Sequence, residues 1–486
     1  MQLNLGPLPT LRNLCAQGTR LLTLLLANGG ESPLQGVLNF RALAVAVGLS
    51  LVTGVLFGLA PALQSTRVDV FPALKEVGGS GGRSRRSFLR SGLRVRSSHL
   101  LVVGQIAISF VLLIAAGLFV RTLSKLQSVD LGFNRENVLL FELDARKAGH
   151  HDPEIETFYA NLREQFGEIP GVEDASLSRS SLLNAGSRLP ISVPGGEPDR
   201  ATRFLSVGPR FFRTMRISIL AGREIEERDR AGAAPVAVIN EVFAKKYFGG
   251  VNPLGRHLLF FNDPPRGAKP VRDVEIIGLA RNSSYGGIRE KIAPLVYIPY
   301  DQGYPPQDEM VYALRTSGDP LRYVNQVREI VQRADSLLPV AQIRTQAAEA
   351  DQDINQETTL ARLCTAFAVL ALMIACVGIY GSISYNVASR TSEIGIRMAL
   401  GADRQQVIWM VIRELLALTV VGLAISVPAV LMTSKYVESS LFEIKHNDPV
   451  ALIAGGLILF AAALLAALFP ARRASRIDPM SALRHE

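Results

Sequence analysis

The stretch LLVVGQIAISFVLLIAAGLFV at residues 100–120 decides the fold of this chain. It contains no Asp, Glu, Lys or Arg. A helix needs about 20 apolar residues to cross the ~30 Å hydrocarbon core of a bilayer, where it satisfies its own backbone hydrogen bonds. Residues 100–120 are therefore predicted to form a transmembrane helix.

Four further charge-free runs of similar length surround this one. They lie at residues 42–63, 363–385, 415–434 and 450–469, so five spans are predicted near the two ends of the chain. The chain has 486 residues, 48% of them hydrophobic and 20% charged, with only three cysteines. This composition excludes a purely soluble enzyme, a disordered chain and a disulfide scaffold.

The basic residues predict the orientation of the spans. The connection at 64–99 carries eight Lys and Arg against two acidic residues, so we place it in the cytoplasm. Alternation then places residues 121–361 outside, 386–414 inside, 435–449 outside and the tail 470–486 inside. Residues 121–361 hold 30 basic and 32 acidic residues, whereas the rest of the chain carries a net +11. The basic excess therefore indicates topology and contact with anionic lipid, not nucleic-acid binding.

Residues 121–361 mix the patterns of strands and helices. Strands are predicted at 138–143, 236–240 and 273–279, and helices at 153–166, 241–248 and 320–334. We expect a large α+β extracytoplasmic domain of two lobes, with its middle part as an insertion. Helical continuations of the spans at 121–129 and 345–361 are predicted to form a stalk. Asp351 and Asp353 are expected to cap and solvate its second helix.

No catalytic, cofactor-binding or metal-binding motif is present in the sequence. It has no G-x-x-x-x-G-K-[ST] loop, no H-E-x-x-H and no G-x-S-x-G. We therefore predict no catalytic residues, no cofactor and no metal, and no ATP hydrolysis by this chain itself. No Asp, Glu, Lys, Arg or His lies deep in a span, which argues against a secondary transporter.

The most specific short motif is SRTSEIGIRMALGA at residues 389–402. Glu393 and Arg397 are spaced for an i,i+4 ion pair, and Gly401 is suited to cap the helix at its C-terminus. Ile394, Met398 and Leu400 can face a partner or the bilayer. Residues 403–414 are predicted to form a second amphipathic helix leading into the fourth span. By composition alone, a helix lying on the membrane surface is an equal alternative.

A repeat relates the two ends of the chain. A shift of 409 positions superposes Pro61-Ala62 on Pro470-Ala471 and Ala73-Leu74-Lys75 on Ala482-Leu483-Arg484. The first 76 residues then resemble the end of one module, and residues 1–41 are predicted to be the remnant of an upstream module. Residues 11–27 are either a degenerate span or a sign that most of a first copy is absent, and we prefer absence.

Several motifs in order resemble one family. The segment EIGIRMALGA at residues 393–402 resembles the cytoplasmic coupling motif of FtsX/MacB-like ABC transporter permeases. The ending PARRASRIDPMSALR at 470–484 resembles their C-terminal signature, and FFRTM at 211–215 with VAVINE at 236–241 resembles the MacB-like periplasmic core. The remnant span is similar to the duplicated orphan permease (ADOP) branch, of which this chain resembles a truncated member.

The resemblance implies a permease of a bacterial inner membrane, multi-pass, with residues 121–361 periplasmic. It implies coupling, by mechanotransmission, of ATP hydrolysis in a separate cytoplasmic ATP-binding subunit to movement of the periplasmic domain, for export or efflux. Membrane lipid and a second permease module are the other implied partners. The implied docking residues are Glu393, Ile394, Gly395, Arg397, Met398, Leu400 and Gly401. The alternative is a membrane-anchored scaffold or sensor without a nucleotide cycle.

Overall fold

The computed structural model describes Gly48 and residues 97–151, 154–184, 187–261, 270–302, 309–401, 403–437, 442, 444 and 448–475. Apart from Gly48, the predicted N-terminal segment and first span lie outside the described residues. So do most of the linker at 64–99, both ends of the repeat except Pro470 and Ala471, and the tail beyond residue 475. These predictions stay predictions.

Ten α-helices are present in the described part of the chain. They are α1 (Ser97–Gln127), α2 (Glu154–Gly167), α3 (Phe211–Met215), α4 (Glu241–Phe248), α5 (Val324–Ala334), α6 (Gln346–Asp353), α7 (Asn355–Ser389), α8 (Thr391–Ala399), α9 (Arg404–Val437) and α10 (Pro449–Ala474). Four of them, α1, α7, α9 and α10, are long and apolar enough to cross a membrane. Each of these four contains one of the predicted charge-free runs.

The four long helices form a bundle in which α1 is the most buried. Ile106, Phe110, Ile114 and Leu118 recur every four residues along α1 and are buried against the other helices. Because residues four apart lie on one helix face, they form a continuous apolar stripe. Small residues on the facing helices allow the close approach, as membrane helix interfaces require. A Cβ added at Gly422 of α9 would stand 2.6 Å from Ile106 Cγ2.

Replacing Gly422 with valine is therefore expected to destabilise the bundle. Ile106 is fully buried and cannot move aside, so overpacking costs about 1–3 kcal/mol. The loss of stability would be measured as a lower thermal unfolding midpoint and a smaller yield of monodisperse protein in detergent than for the unsubstituted chain. Gly381 of α7 is the matched control, because a Cβ there meets nothing within 4 Å. Equal loss of stability in Gly381→Val would contradict the packing argument.

The extracytoplasmic segment is built on one sheet that has eleven strands among the described residues. The strands are β1 (Val138–Asp144), β2 (Val172–Ser178), β3 (Ile191–Ser192), β4 (Arg203–Val207), β5 (Ile219–Gly222), β6 (Val236–Asn240), β7 (His257–Phe260), β8 (Arg272–Ala280), β9 (Leu295–Pro299), β10 (Glu309–Thr316) and β11 (Ala341–Thr345). Their spatial order is β11-β1-β10-β2-β4-β9-β6-β8-β7-β3, and β5 pairs with β8. The predicted strand at 236–240 and helix at 241–248 are confirmed to the residue.

The sheet consists of two halves. The flanking half comprises β1, β2, β10 and β11, which come from the two ends of the segment, and all its pairings are antiparallel. The middle half comprises β3 to β9 and includes the parallel pairs β4–β9 and β6–β8. The halves meet at β2 and β4, where Ser178 and Val207 form the one register pair. The middle half is thus inserted in sequence between β2 and β10, in line with the predicted insertion.

Three apolar clusters hold the sheet to its helices. One packs α2 and α5 on the flanking half, with Phe141 stacked on Tyr312 at a ring-centroid distance of 5.4 Å. Another packs α4 on the middle half around Phe243. The third joins both halves to the stalk, from Leu126 of α1 to Ile354. This third cluster connects the sheet to the membrane helices.

The stalk differs from the prediction at its second helix. Helix α1 continues past the membrane run to Gln127, close to the predicted end. The predicted helix at 345–361 is instead interrupted at Ile354, where α6 ends and α7 begins. Thr345 belongs to β11, and its side chain accepts a hydrogen bond from the Ala348 amide as the N-cap of α6. Ile354, at the interruption, is buried in the third cluster, a contact that periodicity does not report.

Asp301, in the short 3₁₀ turn after β9, should make stability depend on pH. Burial raises its pKa from 3.8 to about 6, aided by the charges of Glu227 and Asp229. The native state therefore holds a proton that the unfolded state releases, and stability falls as pH rises from about 4 to 6. Asp301→Asn is expected to stabilise the protein by about 2 kcal/mol at pH 7.5 and by nothing at pH 4. Calorimetry at both pH values, with Asp351→Asn as the exposed control, measures this; an equal gain at pH 4 would contradict it.

Candidate functional site

The segment between the third and fourth spans is a short helix set between two long ones. α7 ends at Ser389, Arg390 breaks the helix with φ −116°, and α8 begins at Thr391. The Thr391 hydroxyl donates to the Ala388 carbonyl at 2.9 Å, and the Ile394 amide donates to the Arg390 carbonyl at 2.9 Å. Side-chain hydroxyls that bond nearby carbonyls compete with the helix ladder, which explains a break here.

Gly401 ends the short helix as predicted. Its φ is +94°, in the left-handed region that glycine adopts without strain. Its amide donates to the Met398 carbonyl at 3.1 Å, and the Leu400 amide donates to the Ile396 carbonyl at 3.0 Å. The turn directs the chain into α9, which starts at Arg404 and runs unbroken to Val437. The second amphipathic helix predicted at 403–414 is therefore the beginning of the fourth span itself.

One side of α8 is packed within the chain. Ile394 is only 1% exposed and contacts Val407, with Val387, Met398 and Met410 around it. Gly395 is also buried. The expectation that Ile394 faces a partner or the bilayer is wrong, because both of its flanking helices cover it. Ile394 instead fixes α8 to α7 and α9.

The other side of α8 is open. Glu393 and Arg397 are each 51% exposed and form the predicted i,i+4 ion pair at 2.6 Å. Arg397 also contacts the Met410 sulfur at 3.0 Å. Leu400 is 83% exposed, and Ile396, which is not among the predicted docking residues, is 46% exposed. Positions 393, 396, 397 and 400 follow the i, i+3, i+4, i+7 spacing of one helix face, and this spacing could have identified Ile396.

An ion pair joins the two long helices on the packed side of α8. Arg390 Nη1 lies 3.4 Å from Glu414 Oε2, which joins the end of α7 to α9. Both side chains line a cleft between α1, α7 and α9 that is otherwise mostly apolar, with Val102 and Ile383 on its walls. Within the described residues, no three His, Cys, Asp or Glu side chains come together as a metal site would need. The short helix α8 thus has one side packed between two long helices and one side open.

Two protein families match the sequence in adjoining regions. Residues 100–350, more than half of the chain, match the MacB-like periplasmic core domain, and residues 365–479 match the FtsX-like permease C-terminal domain. The second match contains α8 and the ends of both helices that hold it. The chain belongs to the FtsX/MacB-like permease family. As a member of it, the chain is an inner-membrane protein with an extracytoplasmic segment built on the mixed sheet, which has eleven strands among the described residues.

Named relatives of this permease are exporters. Over 282 residues it is 29% identical to the macrolide export ATP-binding/permease protein MacB of Azoarcus sp. (strain BH72). It is 26% identical over 282 residues to the pyoverdine export ATP-binding/permease protein PvdT of Pseudomonas syringae pv. tomato. Each alignment covers 55% of this chain and 40% of the relative. The periplasmic region of MacB from Actinobacillus actinomycetemcomitans aligns over 47% of this chain and 97% of its own length, at 14% identity and a TM-score of 0.32.

Proposed function

We propose that this permease serves an ABC-type exporter in which a separate cytoplasmic ATP-binding subunit docks on α8. The observation that carries the proposal is the exposed face of Glu393, Ile396, Arg397 and Leu400 on a helix whose opposite side is packed. A leucine that is 83% exposed beside an exposed ion pair suits a partner surface with an apolar centre and a polar rim.

Helix α7 would carry the movement across the membrane. It runs without interruption over 35 residues, about 50 Å at 1.5 Å per residue, which exceeds the ~30 Å hydrocarbon core. Displacement of α8 by the ATP-binding subunit would therefore reach the extracytoplasmic segment along one rigid element. No substrate needs to pass between the helices in this mechanism.

Further partners would lie along the membrane helices. Phe367, Leu370, Ile374 and Val377 of α7 are exposed and share a face. In a bilayer such a face contacts lipid or a second permease module, because apolar side chains at that depth have no water to meet. We propose both partners for this surface. Export is proposed as the activity because the relatives are named as exporters.

Co-purification tests the proposal. The full-length chain, tagged and solubilised in mild detergent from its own host, should retain an ATP-binding subunit identified by mass spectrometry. Exchanging the charges in Glu393→Arg/Arg397→Glu keeps the ion pair within α8 but inverts what the partner meets. This variant should lose both the subunit and its stimulated ATPase activity.

The control exchanges another exposed pair with similar exposure, Glu173 and Arg216 of the extracytoplasmic segment, 3.5 Å apart. Glu173→Arg/Arg216→Glu should retain the subunit. If the exchange at Glu393 and Arg397 leaves both association and ATPase stimulation intact, docking on this face is wrong. Recovery of an extracytoplasmic ligand without any ATP-binding subunit would instead favour the anchored scaffold or sensor.

A further inference from the structure

The interruption of the second stalk helix lies where the membrane helices meet the sheet. α6 ends at Asp353, α7 begins at Asn355, and Ile354 between them has φ −103° and ψ 13°. Ile354 is 2% exposed and packs in the cluster that joins both sheet halves to the stalk. A helix interrupted at a buried residue can change direction at that point. The contacts of the residues on the two sides of the interruption therefore set the angle between α6 and α7.

Two carboxylates, one on each side of Ile354 in the sequence, bind the same loop. The loop, residues 281–294 between β8 and β9, is termed the junction loop. Asp353 Oδ2 accepts a hydrogen bond from the Ile288 amide at 2.7 Å. Glu357 Oε1 pairs with Arg289 Nη1 at 2.6 Å, and the Glu357 side chain is 5% exposed. Neighbouring residues of the loop are thus tied to carboxylates four positions apart.

The junction loop is also tied to the middle half of the sheet. Buried Arg203 of β4 donates to the Tyr285 carbonyl and pairs with Glu290. Gly287 has φ +142°, a backbone conformation that side chains rarely adopt, and a Cβ there would stand 3.6 Å from Asp353 Oδ2. Glycine lets the loop follow the α6 terminus closely. The loop therefore has its own anchorage in β4.

The residues that follow α1, the first stalk helix, contact the same loop. The Ser284 amide donates to the Leu131 carbonyl at 2.8 Å, and Arg281 pairs with Asp130 at 2.7 Å, just beyond the end of α1. The flanking half of the sheet needs no such contact, because it is continuous in sequence with both stalk helices. The middle half shares a single register pair with the flanking half at β2–β4. The junction loop thus provides a polar connection between the middle half and both stalk helices.

We propose that Asp353 and Glu357 are positioning residues that hold the junction loop to the interrupted stalk helix, so that displacement of α7 is passed to the middle half of the sheet. The proposal rests on the proposed function for the source of that displacement. Apolar contacts of Ile288 with the third cluster also join these parts, but such contacts are non-directional and permit sliding. Hydrogen bonds and ion pairs with defined geometry fix the register.

Distances between spin labels test this coupling without an ATP-binding subunit. Labels are placed at Gln356→Cys on α7 and Lys245→Cys on α4, both exposed, after the native cysteines are replaced by serine. The full-length chain is measured in nanodiscs of phosphatidylethanolamine and phosphatidylglycerol by double electron–electron resonance. Asp353→Ala/Glu357→Ala should broaden the distance distribution about twofold or more, because the middle half then samples several positions relative to α7.

Asp351→Ala/Asn355→Ala is the matched control. These residues have the same i,i+4 spacing around Ile354 and are exposed, and the distribution should stay as narrow as in the unsubstituted chain. Arg289→Ala supplies a variant on the loop side, should the double variant fail to fold, and Arg289→Lys should restore the narrow distribution. An unchanged width in Asp353→Ala/Glu357→Ala or in Arg289→Ala, or equal broadening in the control, would overturn the proposal. Since no nucleotide or partner is needed, this outcome is separate from the co-purification result.

Discussion

Replacing Arg344 with alanine is expected to destabilise the extracytoplasmic segment by about 3–5 kcal/mol, because it leaves two buried carboxylates without their cation. Arg344 Nη2 lies 3.1 Å from both Glu142 Oε1 of β1 and Glu349 Oε1 of α6. Glu349 also accepts hydrogen bonds from Ser181 at 2.5 Å and Gln346 at 2.9 Å. This group of charged side chains joins β11, β1 and α6 at the base of the second stalk helix.

Calorimetry of the detergent-solubilised chain measures this effect, which corresponds to a fall of about 10 °C or more in the unfolding midpoint of the segment. Burial raises the pKa of Glu142, and the hydrogen bond and charge of Arg344 oppose that rise. Removing Arg344 should therefore cost most at neutral pH, where Glu142 loses the cation that opposes the rise of its pKa, and less in mild acid, where Glu142 takes up a proton.

The controls separate a lost cation from lost packing. Arg328→Ala on the exposed face of α5 should change stability by less than about 0.5 kcal/mol. Arg344→Met combined with Glu142→Gln and Glu349→Gln should recover part of the loss, since no unpaired charge then remains. If Arg344→Ala unfolds at the same temperature as Arg328→Ala, the ion group does not stabilise the segment.

Leu400→Asp is expected to weaken association with the ATP-binding subunit tenfold or more, about 1.4 kcal/mol at least. Leu400 is the most exposed apolar side chain of the segment around α8 and lies at the end of its open face. An apolar residue buried at the centre of an interface commonly contributes this much, and a carboxylate there would lose its hydration on docking. Titration of the subunit against the permease in nanodiscs, with ATPase stimulation as a second readout, measures the change.

Leu337→Asp is the matched control, because Leu337 is similarly exposed, at 76%, but lies beyond α5 in the extracytoplasmic segment. It should leave association unchanged. Ile394→Ala gives a different signature: it should lower the unfolding midpoint, because it removes a buried anchor between α7 and α9. Undiminished binding by Leu400→Asp would show that the subunit does not use this face.

Local patterns predicted many elements of the extracytoplasmic segment. β6 and α4 follow from an apolar run that ends in Asn240, whose side chain accepts the Phe243 amide as an N-cap. β1 and β8 were placed to within a residue or so at their ends. These elements were predictable because alternation, capping and turn residues act within a few positions of the chain.

The candidate site was predicted in part. The ion pair of Glu393 with Arg397 and the capping role of Gly401 depend on spacing and backbone conformation, and both are present. Ile394 and Ile396 are both apolar on a nine-residue helix, and composition does not tell which of them the chain itself covers. Packing by Val407 and Met410 decided that Ile394 is the anchor and Ile396 the exposed residue.

The sequence by itself determined the membrane helices. A charge-free run of about 20 residues is long enough to cross a bilayer, and a helix pairs all its backbone groups internally, as the hydrocarbon core requires. The sequence also determined the short helix between the third and fourth spans and the charges on it. Tertiary structure alone decided where the stalk is interrupted and what holds it. The Ile288–Asp353 and Arg289–Glu357 contacts join residues 65 and 68 positions apart, and pairing over such separations depends on how the whole sheet packs rather than on local periodicity.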